Sequence, residues 1–193
     1  SSAGSGKGDI LEQLDTAVDE ATRNAPSAEE VAKLTFDRAA PPDRESLAYA
    51  AYVRRSAAPT CLFLYFLASM LIAATPEAVG AYCVPGPIKG LARMVAKLIE
   101  RYNSFAQCRD ISRCTVRVHT LAGLLAFLLA LARSGLVCIL RIKNRFSRSY
   151  NPLAGGGYRD LQVLLLLPDG GGSVEDARRN RTVLRPCELQ VNL

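Results

Sequence analysis

Residues 121 to 140, LAGLLAFLLALARSGLVCIL, carry a single charge, and how this run is partitioned constrains the fold more than any other feature. Taken whole, it matches the ~20 apolar residues that a helix needs to cross a bilayer. Arg133, Ser134 and Gly135 divide it, however, into a Leu- and Ala-rich helix over 121–132 and a β-rich strand over 136–142. A helix turning directly into a strand belongs to helices packed on a sheet. The other apolar run, CLFLYFLASMLIAA at 61–74, is shorter than a span and flanked by Pro59 and Pro76. It reads as a buried core helix. A membrane-anchored subunit using residues 57–75 is the weaker reading, because the run lacks both length and aromatic anchors at its ends.

The rest of the chain alternates in the same way. Leu91, Met94, Val95, Leu98 and Ile99 recur at helical spacing over 90–103, which leaves Arg93, Lys97 and Arg101 on another face. In CTVRVHT, Val116 and Val118 point to one side of a strand and Arg117 and His119 to the other. Strands are expected over 161–167 and 187–193, with PDGGGS at 168–173 as a turn and the Arg-rich segment to Arg185 as a connection. Residues 9–56 read as Ala- and Glu-rich helices interrupted by Pro41-Pro42, with Ser27 and Glu30 forming a capping box. The expectation is an α/β (α+β) fold, a mixed β-sheet flanked by helices with a helical N-terminal extension. Its parts are a polar helical extension over 1–56, a buried apolar helix and linker over 57–84, and the sheet domain over 85–193.

An apolar content of 49% excludes a disordered chain, and a net charge of +6 favours an anionic partner. No helical, finger or RNA-sheet signature of a dedicated nucleic-acid reader is present. The six cysteines contain no CxxC pair, and with His119 the sole histidine they read as small buried hydrophobes in a reducing, intracellular setting rather than as metal ligands. The opening SSAGSGKGD lacks the spacing of a phosphate loop and reads as a flexible leader. A first residue that is Ser suggests a processed product or a fragment; mitochondrion or plastid would follow if a targeting peptide preceded it.

Three clusters carry chemistry. Asp110 precedes the first strand of the sheet domain and Glu188 lies in the last, a carboxylate pair able to hold Mg²⁺ against a phosphate. Lys89, Arg93 and Lys97 repeat every fourth residue, and Lys143, Arg145 and Arg148 follow the strand ending in ILRIK. Cations around paired carboxylates suit phosphoryl or pyrophosphoryl transfer, where charge neutralisation carries the chemistry. Each cluster also has a plainer reading: a solvated helix face, a surface ion pair of Asp110 with Arg109 or Arg113, a packed Tyr158. Without a second histidine or a nucleophile elbow, a hydrolase triad has no support.

The order of these clusters is more specific than any one of them. GPIKGLARMVAKLIERYN, CRDISRCTVRVHT, LRIKNRFSRSYNPLAGGGYRDLQVLLLL and CELQVNL together resemble the RelA/SpoT-type nucleotidyltransferases, over about residues 85–193. The resemblance implies that Lys89, Arg93 and Lys97 sit near the phosphates of ATP, and that Asp110 and Glu188 act catalytically and hold Mg²⁺. It further implies that Lys143 and Arg145 line the nucleotide groove, and that Tyr158 and Arg159 meet the acceptor, Tyr158 by stacking on its base. Gly155 to Gly157 would then let the backbone pass close under a nucleotide. Gly90 and Ala92 stand where the family carries a serine, Gln162 stands where it carries a histidine, and Arg113 and Arg117 are the candidates for a displaced arginine. The metal-binding His-Asp pattern of the family's hydrolase half is absent, which excludes alarmone breakdown. Two functions are expected from this resemblance. One is transfer of pyrophosphate from ATP to a purine nucleotide or an RNA 3′ hydroxyl; the other is a catalytically silent copy of the fold, serving among the protein subunits of a larger, organellar assembly.

Overall fold

The computed structural model describes residues 9–155 and 157–193. The SSAGSGKG opening, expected to be a leader, and Gly156 of the glycine triplet lie outside the described residues.

Three helices come first: α1 (Ile10–Thr22), α2 (Ala28–Leu34) and α3 (Leu47–Ala73). Ser27 caps α2 by accepting a hydrogen bond from the Glu30 amide at 3.2 Å, as the capping box suggests. Helix α3 does not break at Pro59. It runs 27 residues straight through the proline, so the expected division between residues 56 and 57 falls inside one helix. Proline removes one backbone donor, and here the Ser56 and Thr60 hydroxyls bond back to the carbonyls of Tyr52 and Ser56 in the same turns. Among the described residues α3 alone is long and apolar enough to cross a membrane, yet Leu64, Leu67 and Ala68 are buried under the sheet.

The sheet is mixed and five-stranded, in the order β1 (Tyr82–Pro85), β2 (Ser112–Arg117), β5 (Leu184–Asn192), β4 (Leu161–Pro168), β3 (Cys138–Asn144). Only β2 and β5 pair in parallel; every other neighbour is antiparallel. Helices α4 (Leu91–Arg101), α5 (Leu121–Arg133) and α6 (Val174–Asn180) complete the chain. Two elements are additions to the sequence reading. Strand β1 was expected as linker, and α6 occupies the Arg-rich connection. The signal for α6 is in SVED: Ser173 accepts from the Asp176 amide at 3.0 Å and donates to its carboxylate at 2.7 Å. Strand β5 also starts three residues early and takes in Pro186. The proline is tolerated because β2 begins to pair only at Cys187, so no ladder bond is lost on that side.

Alternation decides which face is buried. Cys114 and Val116, Cys187, Leu189 and Val191, and Leu161, Val163 and Leu165 form one side of the sheet, packed under Leu14 of α1, Leu64 and Leu67 of α3, and Phe127 and Leu128 of α5. A second cluster joins Met94 of α4 to Ala50 and Ala57 of α3 and to Phe105, Cys108 and Ile111. Four of the six cysteines are buried, in keeping with their reading as small hydrophobes. The opposite side of the sheet carries Arg113, Thr115 and Arg117, then Glu188, Gln190 and Asn192, then Gln162 and Leu164, then Arg141 and Lys143, set side by side by the strand register. Helix α6 covers one corner of it, where Leu166 and Leu184 meet Val174 and Ala177. The rest is a polar face.

Candidate active site on the polar face of the sheet

At one end of this face lies a hollow of about 440 Å³, lined by Lys89, Arg93, Lys97, Asp110 and Glu188 together with Arg113, Gln162 and Gln190. Its position follows from two local features. The segment after β1 is drawn against β2, where the Gly86 amide donates to the Arg113 carbonyl and the Lys89 amide to the Ile111 carbonyl, at 2.9 and 3.2 Å. A side chain at Gly86 would come within 2.9 Å of that Arg113 carbonyl, so glycine permits the close approach. Helix α4 then starts at Leu91, and its four-residue spacing returns Lys97 to the carboxylate that Lys89 meets.

Asp110 is the centre of this arrangement. One oxygen, Oδ2, accepts from Lys89 and from Lys97, the latter at 2.6 Å. The expected partners Arg109 and Arg113 are not the ones the fold supplies. Burial works to raise the Asp110 carboxyl, and the two lysine hydrogen bonds outweigh it, holding the group below its ordinary value. Lys89 is 6% exposed, and its burial, with Lys97 beside it, pulls the ammonium below its usual range in spite of Asp110. Lys97 is more open; burial works against its charge, but the bond to Asp110 raises it. Two ammonium groups on one carboxylate leave a positive surplus, and Arg93 is exposed beside them without an ion pair among the described residues.

Glu188 is 8% exposed and held by two amides. Gln162 donates to Oε2 at 2.8 Å and Gln190 to Oε1 at 3.1 Å. Its neighbour across the parallel pair is Arg113, which donates to the Pro87 carbonyl at 3.2 Å. The other oxygen of Asp110, Oδ1, is buried without a hydrogen-bond partner. A buried orphan carboxylate oxygen, in a hollow that a second carboxylate also lines, is a fit for a hard cation, and two carboxylates with water and phosphate completing the shell is the mode Mg²⁺ favours. Among the described residues no group of three or more His, Cys, Asp or Glu forms a protein-only cage.

The remaining expected residues gather at the other end of the same face. Lys143 of β3 lies opposite Gln162 in the register and is exposed. Arg145 pairs with Asp160, whose side chain is fully buried and whose second oxygen has no partner. The Arg145 guanidinium sits 5.9 Å from the centre of the Tyr158 ring, and the Tyr158 hydroxyl donates to Asn192 Oδ1 at 3.2 Å. A ring half exposed over a basic edge can accept a flat partner. Arg159 is exposed, lies outside the hollow and has no partner among the described residues. Gly157 has φ +80, with open space where a side chain would stand. Gly156 lies outside the described residues.

Sequence reading missed Asp160 and Gln190, and it named Gln162 only as a departure from the family. Each sits two positions from another residue of the face, so period-two spacing could have shown them to share it. Arg54, which donates from Nε to the Lys89 carbonyl at 3.1 Å, had no such signal, since it comes from helix α3.

A mixed sheet with most of its helices on one face and a lysine-and-carboxylate hollow on the other is an α+β fold. More particularly, it is a RelA/SpoT-like fold. The chain is similar to small alarmone synthetase 1 from Bacillus subtilis, with a TM-score of 0.56 at 10% identity over 74% of this chain and 70% of that one. It is similar also to a GTP pyrophosphokinase family protein from Streptococcus pneumoniae, with a TM-score of 0.58 at 12% identity over 76% and 70% of the two chains. The structure of the Bacillus subtilis synthetase 1 bound to its product pppGpp gives a TM-score of 0.51 at 12% identity, over 72% and 68%. No protein-family model matches the sequence. No curated protein matches it.

Proposed function

We propose that the polar face binds ATP and a purine nucleotide or an RNA 3′ end, and transfers pyrophosphate from ATP to the acceptor hydroxyl, the bond between the α-phosphate oxygen and the β-phosphorus breaking so that AMP leaves. The observation that carries this reading is the meeting of Lys89, Lys97, Asp110 and Glu188 in one hollow. The fold, shared with a synthetase whose structure holds pppGpp, supports it.

In this reading Lys89, Lys97 and Arg93 take the phosphates of ATP. Burial lowers the Lys89 ammonium in spite of its bond to Asp110, and a phosphate oxygen would add counter-charge there. Asp110 and Glu188 would hold Mg²⁺, which would neutralise charge on the phosphates when bound. Two lysines stabilise the ionised form of Asp110 and make it a poor base. Glu188, held only by neutral amides, is assigned to accept the proton of the attacking hydroxyl. Tyr158 stacks on the acceptor base, with Lys143 and Arg145 beside its phosphates.

A second reading is a silent copy of the fold in a larger assembly. It is favoured by one detail, the occupation of both Glu188 oxygens by the Gln162 and Gln190 amides. The two are separated by incubating the chain with Mg²⁺ and ATP labelled on its terminal phosphate, offering GDP, GTP, adenine nucleotides or tRNA in turn. Label moving onto an acceptor, and ceasing to move in Glu188→Gln, is the expected result. No transfer to any acceptor and no nucleotide binding would leave the silent copy.

A further inference from the structure

A second cavity, of about 240 Å³, lies apart from the hollow at the seam between the N-terminal helices and the sheet. Helices α2 and α3 and the segment between them build one wall, and residues 104–112 and 184–186 build the other. The Phe105 amide closes one side by donating to the Arg44 carbonyl at 3.0 Å. Arg185 closes another, paired with Asp37 at 2.7 Å and Asp169 at 2.8 Å. The space is worth about eight waters at ~30 Å³ each, enough for a ring with one charged group.

The lining says what such a molecule would be. Tyr49, Tyr52 and the buried Phe105 present aromatic surface, and Val31, Ala57 and Ile111 are apolar. Among the charges, Asp37 is answered by Arg185, and by Tyr52, whose hydroxyl donates to it. Arg44 and Arg109 have no ion pair among the described residues; the Arg44 guanidinium lies over the face of Phe36, 5.9 Å from the ring centre. The Tyr49 hydroxyl likewise has no hydrogen-bond partner there, and burial pushes that phenol up, keeping it a neutral donor. Two uncompensated guanidinium groups, a free phenol donor and flat apolar walls complement a small anion carried on an aromatic ring.

We propose that this seam cavity is a second ligand site, for a small flat-ringed organic anion bearing a carboxylate or a phosphate. Its back wall is shared with the polar face. Arg109 directly precedes Asp110, and Pro186 lies two residues before Glu188, so a molecule here rests against the backbone that leads into both carboxylates. The site is distinct from the hollow and does not depend on any reaction there.

The test is direct binding to the full chain by equilibrium dialysis, with phenyl phosphate and 2-aminobenzoate as probes and neutral benzamide and inorganic phosphate as controls. At least one ring-bearing anion should bind well above both controls, and the tighter of the two names the preferred charged group. Arg44→Gln, a change at an exposed side chain, should weaken that binding about tenfold or more. Ala32→Trp, at an exposed position on the cavity wall, should block it. Failure of both anions to bind at millimolar concentration, binding equal to that of benzamide, or affinity unchanged in both variants would each overturn the proposal.

Discussion

At the residue scale, the cluster of Lys89, Lys97 and Asp110 shows how burial and charge set the behaviour of a site together. The Asp110 carboxyl is held below its ordinary value of 3.8 by its lysines, so it binds protons more weakly in the folded chain than in the unfolded one. Its contribution to stability is therefore complete above that ordinary value and is lost as pH falls below it through the depressed native value. Urea midpoints followed from pH 6 downward should show the loss in the parent chain and a smaller one in Asp110→Asn. Equal slopes would mean that the lysines do not stabilise this carboxylate. Tyr158 makes a separate prediction. If it stacks on a base, Tyr158→Ala should weaken nucleotide binding by ~1–3 kcal/mol in a calorimetric titration, while Tyr158→Phe should lose little, since the hydroxyl reaches only Asn192. Unchanged affinity in the alanine variant would return the ring to a packing role. Both residues could be picked out from sequence because each stands next to a strand. Their partners could not, since the Tyr158 bond to Asn192 and the Lys97 bond to Asp110 span elements whose meeting no local window records.

At the element scale, helix α3 is the least expected piece. Its apolar composition suggested a short core helix bounded by prolines, and what forms is one long helix with two functions in packing. The half after Pro59 buries Leu64 and Leu67 under the sheet, while the half before it supports α4 through Ala50 and Ala57. Leu62, Phe66 and Met70 remain more than half exposed along the outer side of the same helix. Leu64 has no exposed surface, so Leu64→Ala should cost about 2–5 kcal/mol by chemical denaturation. Leu62→Ala, two residues away and 55% exposed, should stay within about 0.5 kcal/mol. Comparable losses at both positions would show that the outer side of α3 is covered in solution. Periodicity could not choose these faces, because a run apolar all round has no polar stripe to orient it.

At the scale of the whole molecule, the N-terminal helices and the sheet are one packed unit joined by polar ties as well as by core. Arg185 of β5 reaches Asp37, and Arg178 of α6 reaches Glu30 at 3.2 Å. For Asp37, burial acts to raise the carboxyl, and the bonds from Tyr52, the Ala39 amide and Arg185 prevail and lower it. Asp37→Ala should cost roughly 1–3 kcal/mol, since Arg185 keeps Asp169 as a partner, and should speed proteolysis between α2 and α3. Cleavage at the parent rate would show that the seam is held by the apolar contacts alone. What the sequence by itself determined is the local grammar: helix and strand periods, the Ser27 cap, the alternation that sends Glu188 one way and Leu189 the other, and the motif order that resembles RelA/SpoT-type enzymes. These depend on neighbours a few residues apart, where backbone geometry makes spacing legible. What only the tertiary structure decided is the passage of α3 through Pro59, the parallel pairing of β2 with β5, the choice of lysines over arginines for Asp110, and the seam cavity. Each of these depends on segments far apart in the chain, brought together by the burial of one shared core rather than by any local preference.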